Sequence, residues 1–212
     1  MSDHPDDTRV RTDAATDAGI MASFEGAELF PHLVRLIARG KPVSVEELAA
    51  AAGWPARDVE RLARSQPGTD WDEEGHLVGV GLTLRPTAHR FTVQGRTLYT
   101  WCAADTLIFT MILGQRTTAE STCPATGAAV RIELSPDSVI SASPGSAVIS
   151  QRLGTDLMSD LRAQVCDHGL FFASPAAASE WAAEHPDGEV LGVSDAFDRY
   201  RTVYEELNWR GG

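Results

Sequence analysis

A thiol and a carboxyl lie three residues apart in an apolar stretch of this 212-residue chain. Cys102 opens the sequence C-A-A-D-T-L-I-F, in which Asp105 is the only charged residue. On a helix the two residues are i and i+3 neighbours on one face, where burial would raise both pKa values and suit the acid to carry a proton near neutral pH. The alternative is structural: a buried cysteine, with Asp105 as a cap or turn residue, since free cysteines are among the most buried residues.

Two further cysteines follow, each in a distinctive local sequence. Cys123 lies in T-C-P-A-T-G and Cys166 in V-C-D-H-G-L-F-F-A-S. An odd number of cysteines with long spacings argues against a disulfide framework and predicts reduced thiols in a reducing compartment, the cytoplasm. A zinc site of three cysteines and one histidine is possible by ligand count, but the paired C-x-x-C or H-x-x-x-H spacings typical of such sites are missing.

The three cysteine segments, in this order, resemble the organomercurial (alkylmercury) lyases of bacterial mercury resistance. The resemblance is carried by L-Y-T-W-C-A-A-D-T-L-I-F at 98–109 together with the two segments around the later cysteines. It extends upstream through K-P-V-S-V-E-E-L-A at 41–49, G-W-P-A-R-D-V-E at 53–60 and D-E-E-G-H-L-V-G-V-G-L-T-L-R at 72–85. Three separated motifs in one order are far more specific than any single one.

The resemblance implies an enzyme that cleaves the carbon–mercury bond of R–Hg⁺ by protonolysis, giving R–H and Hg²⁺. It implies that Cys102 and Cys166 bind the metal as thiolates, that Asp105 lies beside the metal as the proton carrier, and that Cys123 is structural. A soft metal prefers thiolate ligands, and two of them place more electron density on the bonded carbon, which is then easier to protonate.

The same resemblance implies no resident cofactor, because mercury is substrate and product. Organomercurials are the expected substrates, small thiols or a mercuric reductase the expected acceptors of Hg²⁺, and a monomer or weak homodimer the expected assembly. Trp101 and the Phe171–Phe172 pair are candidates for an apolar wall. One departure is Asp167, where members of the family can carry a second cysteine; a carboxylate cannot act as an extra soft ligand, and the three site residues stay intact.

The residues before the first cysteine predict three helices and a hairpin, the outline of a winged helix. Apolar residues recur with helical spacing over 24–39. Ser44 and Glu47 form a capping-box pattern at the start of a second helix, and Pro55 suits the first turn of a third. Two strands around D-E-E-G at 72–75 complete the motif.

Downstream, short alternating segments separated by turns predict antiparallel strands between 91 and 148, with helices at 102–113, 156–163, 174–185 and 195–207. The expected fold class is α+β, with an N-terminal winged-helix-like three-helix region packed on a C-terminal antiparallel sheet with helices. The expected division is a disordered acidic tail at 1–23, the winged-helix-like region at 24–84 and a catalytic α+β region at 85–208.

A winged helix raises the alternative of DNA binding. The net charge of −12 and the acids Asp72, Glu73 and Glu74 at the wing tip oppose contact with phosphate, so we expect no nucleic-acid partner. No apolar run approaches the length of a membrane span and the start of the chain lacks the pattern of a signal peptide, so no membrane partner is expected. The remaining alternative to the lyase is a non-enzymatic, thiol-based metal-binding or metal-sensing winged-helix protein.

Overall fold

The computed structural model describes residues 25–66, 68–152 and 160–209. The acidic tail predicted at 1–23 and the first half of the helix predicted at 156–163, residues 156–159, lie outside the described residues. Within them the chain forms seven α-helices, one 3₁₀ helix and eleven strands in two antiparallel sheets. The predicted α+β fold, with N-terminal helices beside an antiparallel sheet, is confirmed.

Three short helices form the N-terminal part: α1 (Leu29–Ile37), α2 (Val45–Ala52) and α3 (Ala56–Ser65). The predicted capping box is present, because the Ser44 hydroxyl accepts from the Glu47 amide and the Glu47 carboxylate accepts from the Ser44 amide, each at 3.1 Å. Helix α1 begins later than its apolar spacing predicts, since residues 25–28 form a turn. Helices α2 and α3, joined by a tight turn, make the helix-turn-helix expected from the sequence.

A hairpin follows these helices and continues into the main sheet. The eight strands of that sheet are β1 (Asp70–Trp71), β2 (Leu77–Val80), β3 (Leu82–Thr83), β4 (His89–Val93), β5 (Arg96–Thr100), β6 (Thr117–Thr122), β7 (Ala129–Ser135) and β8 (Ser138–Ser143). Their spatial order is β1-β2-β3-β5-β4-β6-β7-β8, and each neighbouring pair is antiparallel. Strand β3 therefore joins the hairpin of the winged helix to the rest of the sheet.

The arginines of α3, where a DNA-binding winged helix would contact phosphate, are engaged with acids of this chain. Their partners lie within ion-pair distance: Arg57 with Asp58 at 3.7 Å, Arg61 with Glu25 at 3.1 Å and Arg64 with Glu60 at 3.0 Å. These are exposed pairs of small energetic value, but they offset the positive charge of the helix. The absence of a nucleic-acid partner stays a prediction.

In the second part of the chain a helix, α4 (Ala103–Leu113), packs between the main sheet and a smaller one. Its other elements are β9 (Val148–Gln151), α5 (Leu161–Gln164), a 3₁₀ helix (Cys166–His168), β10 (Phe171–Phe172), α6 (Ser179–Glu184), β11 (Glu189–Gly192) and α7 (Val193–Glu206). The small sheet has the order β10-β9-β11, and strand β11 has no counterpart in the sequence prediction. Nowhere in the described ranges is a helix both long enough and apolar enough to cross a bilayer.

Candidate active site

Helix α4 is buried on nearly all sides. Nine of its eleven residues are buried, and Asp105 is its only charged side chain. A helix that is apolar all round belongs to the interior of a protein. Asp105 lies in the first turn of this helix, where its charge is poorly solvated. Burying that charge costs free energy that an apolar side chain at the same position would not cost.

Cys102 lies at the N-cap of α4, and it forms a reciprocal cap with Asp105. The Asp105 amide donates to the Cys102 sulfur at 3.4 Å, and the Cys102 amide donates to Asp105 Oδ2 at 3.1 Å. The arrangement matches a capping box, with a thiol in place of the usual hydroxyl. Both interpretations of the C-x-x-D pattern therefore hold at once: the acid is a cap, and it also lies beside a buried thiol.

Cys166 reaches the same place from a distant segment. The Ala103 amide donates to the Gly169 carbonyl at 2.8 Å, which ties the start of α4 to the end of the 3₁₀ helix that carries Cys166. Gly169 is required there, since a Cβ at this position would lie 2.7 Å from the Cβ of Cys102. The buried Ser150 hydroxyl on β9 donates to the His168 carbonyl at 2.7 Å and accepts from the Leu170 amide at 3.1 Å, so it fixes the same segment from behind.

The three residues predicted for the site are thereby brought together. The ligand atoms of Cys102, Asp105 and Cys166 all lie within 4.8 Å of one another, and among the described residues no other such group of three acidic, cysteine or histidine side chains occurs. Both cysteines are buried and are not in disulfides. Two sulfurs and one carboxylate oxygen at this separation could hold a soft metal ion through the thiolates, with the carboxylate beside it.

The environment of the site favours the neutral forms of its groups. Burial raises the pKa of Asp105 to about 6 from 3.8, against hydrogen bonds from Cys102 that lower it. The pKa of the Cys102 thiol is also raised, first by its hydrogen bond with Cys166, then by burial and by the neighbouring Asp105 charge. The Asp105 amide at the helix N-terminus acts in the opposite direction and is outweighed.

The raised pKa of Asp105 predicts a pH-dependent gain in stability for Asp105→Asn. The folded pKa lies above the unfolded value, so ionised Asp105 opposes folding fully above pH 6, progressively less as the pH falls, and not at all below 3.8. We expect the variant to have the higher free energy of unfolding at pH 8, by roughly 3 kcal/mol at most. The difference should approach zero near pH 4, as measured by urea denaturation of both proteins. A difference that does not change with pH would contradict the assignment.

A cavity of about 220 Å³ opens beside the three residues. Its wall is mainly apolar and combines side chains from α1–α3 with side chains from the second part of the chain: Leu29, Phe30, Leu33, Leu48, Leu62, Ala63, Val80, Trp101, Ala104, Ile108, Leu161, Val165, Tyr200 and Trp209. The prediction that Trp101 belongs to an apolar wall agrees with this lining. The same prediction for Phe171 and Phe172 was wrong: neither is among the lining residues, because β10 pairs with β9 and buries both rings in the main core.

Histidines surround the Cys166 segment more closely than their scattered sequence positions indicate. His89 on β4 is 2% exposed, lies 3.1 Å from the Ser121 hydroxyl and hydrogen bonds with the Gly169 backbone. Burial lowers its pKa to about 4, which keeps the ring neutral. His168 points its ring at Arg152 and His185, with 3.4 Å between His168 Nε2 and the Arg152 guanidinium. No sequence pattern singled out His89 or Ser150, because their contacts are set by strand pairing.

Cys123 lies apart from this group, in the turn between β6 and β7. Its amide donates to the Ala128 carbonyl at 2.8 Å, its carbonyl accepts from the Gly127 amide at 2.9 Å, and its side chain is fully buried. Burial alone would raise the pKa of this thiol, but hydrogen bonds led by the Thr126 side chain bring the pKa below its ordinary value. These contacts fit a cysteine that holds a turn closed.

Cys123→Ser is expected to lower stability without removing the chemistry of the site. The hydroxyl oxygen lies closer to its Cβ than the sulfur does, which takes it out of reach of the donors that bind the sulfur. Buried without a partner, it is expected to cost about 1 to 3 kcal/mol in the free energy of unfolding. Thermal or urea denaturation measures this loss, and activity per folded molecule provides the second readout. A Cys123→Ser protein that is stable but inactive would mean that the wrong thiol has been assigned to the site.

Two family models together match nearly the whole chain. The model of alkylmercury lyase matches residues 82–205, and the model of the helix-turn-helix domain of alkylmercury lyase matches residues 14–81. The region that holds all three cysteines thus falls within the first model, and α1–α3 fall within the second.

Curated proteins and a solved structure show the same likeness. An alkylmercury lyase of Bacillus cereus is 43% identical over 189 residues, which is 86% of each chain, and one of Streptomyces lividans is 42% identical over 179 residues, or 84% of this chain and 83% of that one. The crystal structure of the mercury-bound form of MerB2 superposes with a TM-score of 0.74 at 22% identity, over 93% of this chain and 100% of that one. At that identity the superposition shows a shared fold.

Proposed function

This chain belongs to the alkylmercury lyase family, and from that premise we propose that Cys102 and Cys166 hold the mercury of an organomercurial while Asp105 delivers a proton to its carbon. The observation that carries this proposal is the mutual approach of two sulfurs and one carboxylate within 4.8 Å. The family establishes the activity, an enzymatic cleavage of the carbon–mercury bond. The roles of the individual residues are the part proposed.

The proton for the carbon comes from a thiol of the site. The raised pKa of Cys102 keeps it protonated near neutral pH, so it brings a proton that must leave when its sulfur binds mercury. Asp105 is hydrogen bonded to the Cys102 backbone, and its pKa of about 6 lets it both accept and release a proton at that pH. The carboxyl therefore acts as a carrier between sulfur and carbon.

The overall reaction balances without an oxidant or a reductant. One molecule of R–Hg–X and two protein thiols give R–H, HX and a protein-bound mercury dithiolate. The carbon–mercury bond breaks, its electron pair takes up the proton from Asp105, and two mercury–sulfur bonds replace the bonds to carbon and X. Thiolates favour this exchange because they are the softest ligands that protein side chains offer.

Regeneration requires that two outside thiols displace the protein thiolates from Hg²⁺. Small thiols are suited to this exchange, because each one that binds mercury returns a proton to a protein cysteine. A mercuric reductase as final acceptor, a monomer or weak homodimer as the active form and a cytoplasmic location remain predictions from the sequence. Asp167 after Cys166 offers no third sulfur for the transfer, so the incoming thiol must supply it.

Release of hydrocarbon tests this function directly. Purified protein incubated with phenylmercury and an excess of small thiol should release benzene over many turnovers, measured by gas chromatography. Protein alkylated at its cysteines beforehand is the control and should release none. If the protein bound Hg²⁺ tightly but released no benzene, the alternative of a thiol-based metal-binding protein would replace the lyase.

A further inference from the structure

Part of the cavity wall comes from helices that have no role in the chemistry described above. Phe30 and Leu33 on α1, Leu48 on α2 and Leu62 on α3 line the same cavity as Cys102, Asp105 and Cys166. All three helices lie in the region that matches the helix-turn-helix domain model, and the arginines of α3 are engaged with acids of this chain. Their apolar side chains and the reactive groups therefore line one and the same cavity.

Phe30 is the largest of these side chains, and it is only partly buried. Its ring centroid lies 5.9 Å from that of Phe109 and 5.0 Å from that of Trp209. Phe109 is one turn beyond Asp105 on α4, and both side chains pack against Gly81, where a Cβ would lie 2.8 Å from Phe109 and 3.3 Å from the Asp105 carboxylate. Phe30 is thus packed on the helix face that carries the proton donor.

The volume and lining of the cavity indicate what it can take. An apolar cavity of about 150 Å³ lined by Leu, Ile and Phe is sufficient to bind benzene. The cavity here is about 220 Å³, and its wall is mainly apolar. It therefore has room for an organic group of up to one aromatic ring next to the mercury, and little attraction for a charged one.

We propose that α1–α3 form the subsite for the organic group of the organomercurial, and that Phe30 sets the size limit of that group. This proposal rests on the proposed function, since the carbon bonded to mercury must lie within reach of Asp105 and its substituent must extend into the volume that protein atoms leave free. The N-terminal helices then determine which organic groups the enzyme accepts.

The test compares methylmercury, phenylmercury and naphthylmercury as substrates of three proteins. Phe30→Ala should raise the ratio of kcat/KM for naphthylmercury to that for methylmercury by about tenfold or more. Phe30→Trp should lower the ratio of kcat/KM for phenylmercury to that for methylmercury by a similar factor. Effects of this size are expected when a pocket changes by a few carbon atoms. The ratio is unaffected by the amount of folded protein. If Phe30→Ala failed to fold, Phe30→Leu, which keeps an apolar side chain, would take its place.

Leu36→Ala is the matched control, because Leu36 is buried on the same helix but is not among the residues that line the cavity. It should lower stability and leave the ratios unchanged. Ratios within twofold of wild type in both Phe30 variants, or an equal change in Leu36→Ala, would overturn the proposal. If wild-type protein released no hydrocarbon, the proposed function would have failed. The subsite would then be tested by the affinity for the same compounds, measured by quenching of Trp101 and Trp209 fluorescence. Opposite shifts in affinity in Phe30→Ala and Phe30→Trp would support it, and the absence of such shifts would overturn it.

Discussion

Cys166→Ala is expected to reduce carbon–mercury cleavage to the uncatalysed rate. A single remaining thiolate neither holds mercury in a two-ligand grip nor places enough electron density on the carbon for protonation. Cys102→Ser should have the same effect, and it is the more informative change. Serine is among the best N-cap residues, so the start of α4 should keep its cap while the metal loses a soft ligand. Hydrocarbon release in excess thiol measures both variants.

The folded state of these variants is the necessary control. Circular dichroism and thermal denaturation should show Cys102→Ser and Cys166→Ala folded, and Cys123→Ser should retain turnover per folded molecule. Loss of activity in the first two together with retention in the third would separate the cysteines by role. A Cys166→Ala protein that kept a tenth or more of the wild-type rate would require a mechanism with one thiolate.

Asp105→Ala should separate mercury uptake from turnover. Both thiols survive in this variant, so it should still bind R–Hg⁺, which quenches the fluorescence of Trp101 beside the site. Release of hydrocarbon should fall by a factor of about 10² or more, as expected for the loss of a positioned proton donor. A wild-type rate in Asp105→Ala would mean that the proton reaches the carbon directly from a thiol or from water, without passing through the acid.

Asp105→Asn distinguishes a proton carrier from a helix cap. The amide oxygen of asparagine can still accept from the Cys102 amide, as Asp105 Oδ2 does at 3.1 Å, but the side chain cannot carry a proton at neutral pH. If the acid transfers the proton, Asn and Ala variants should be slowed to a similar extent. Recovery of the rate in Asp105→Asn would show that its hydrogen bonds, and not its acidity, matter.

Local patterns in the sequence predicted local structure well. The Ser44 and Glu47 pattern gave the correct start of α2, and the D-E-E-G turn at 72–75 lies between β1 and β2 as the sequence predicts. Both features depend on residues within a few positions of each other. The C-x-x-D pattern was informative in the same way, although Cys102 caps α4 and does not lie within it.

Long-range features were beyond such patterns. The approach of Cys166 to Cys102 depends on the Ala103–Gly169 hydrogen bond and on Ser150, which no spacing predicts. The prediction that Cys166 and Cys102 share one site therefore depended on the resemblance to a family. The assignment of Phe171 and Phe172 to the apolar wall failed for the same reason, because an aromatic pair looks alike whether it fills a core or borders a cavity.

The pairing of β3 with β5 has a consequence for any shortened form of this protein. Cutting the chain before residue 85 would remove β1–β3, make β5 an edge strand and leave Tyr99 and Thr100 without their backbone partners, next to apolar surface that α1–α3 had covered. An open strand of this kind is a template for pairing between molecules. A fragment of residues 85–208 would keep all three cysteines, but we expect it to aggregate.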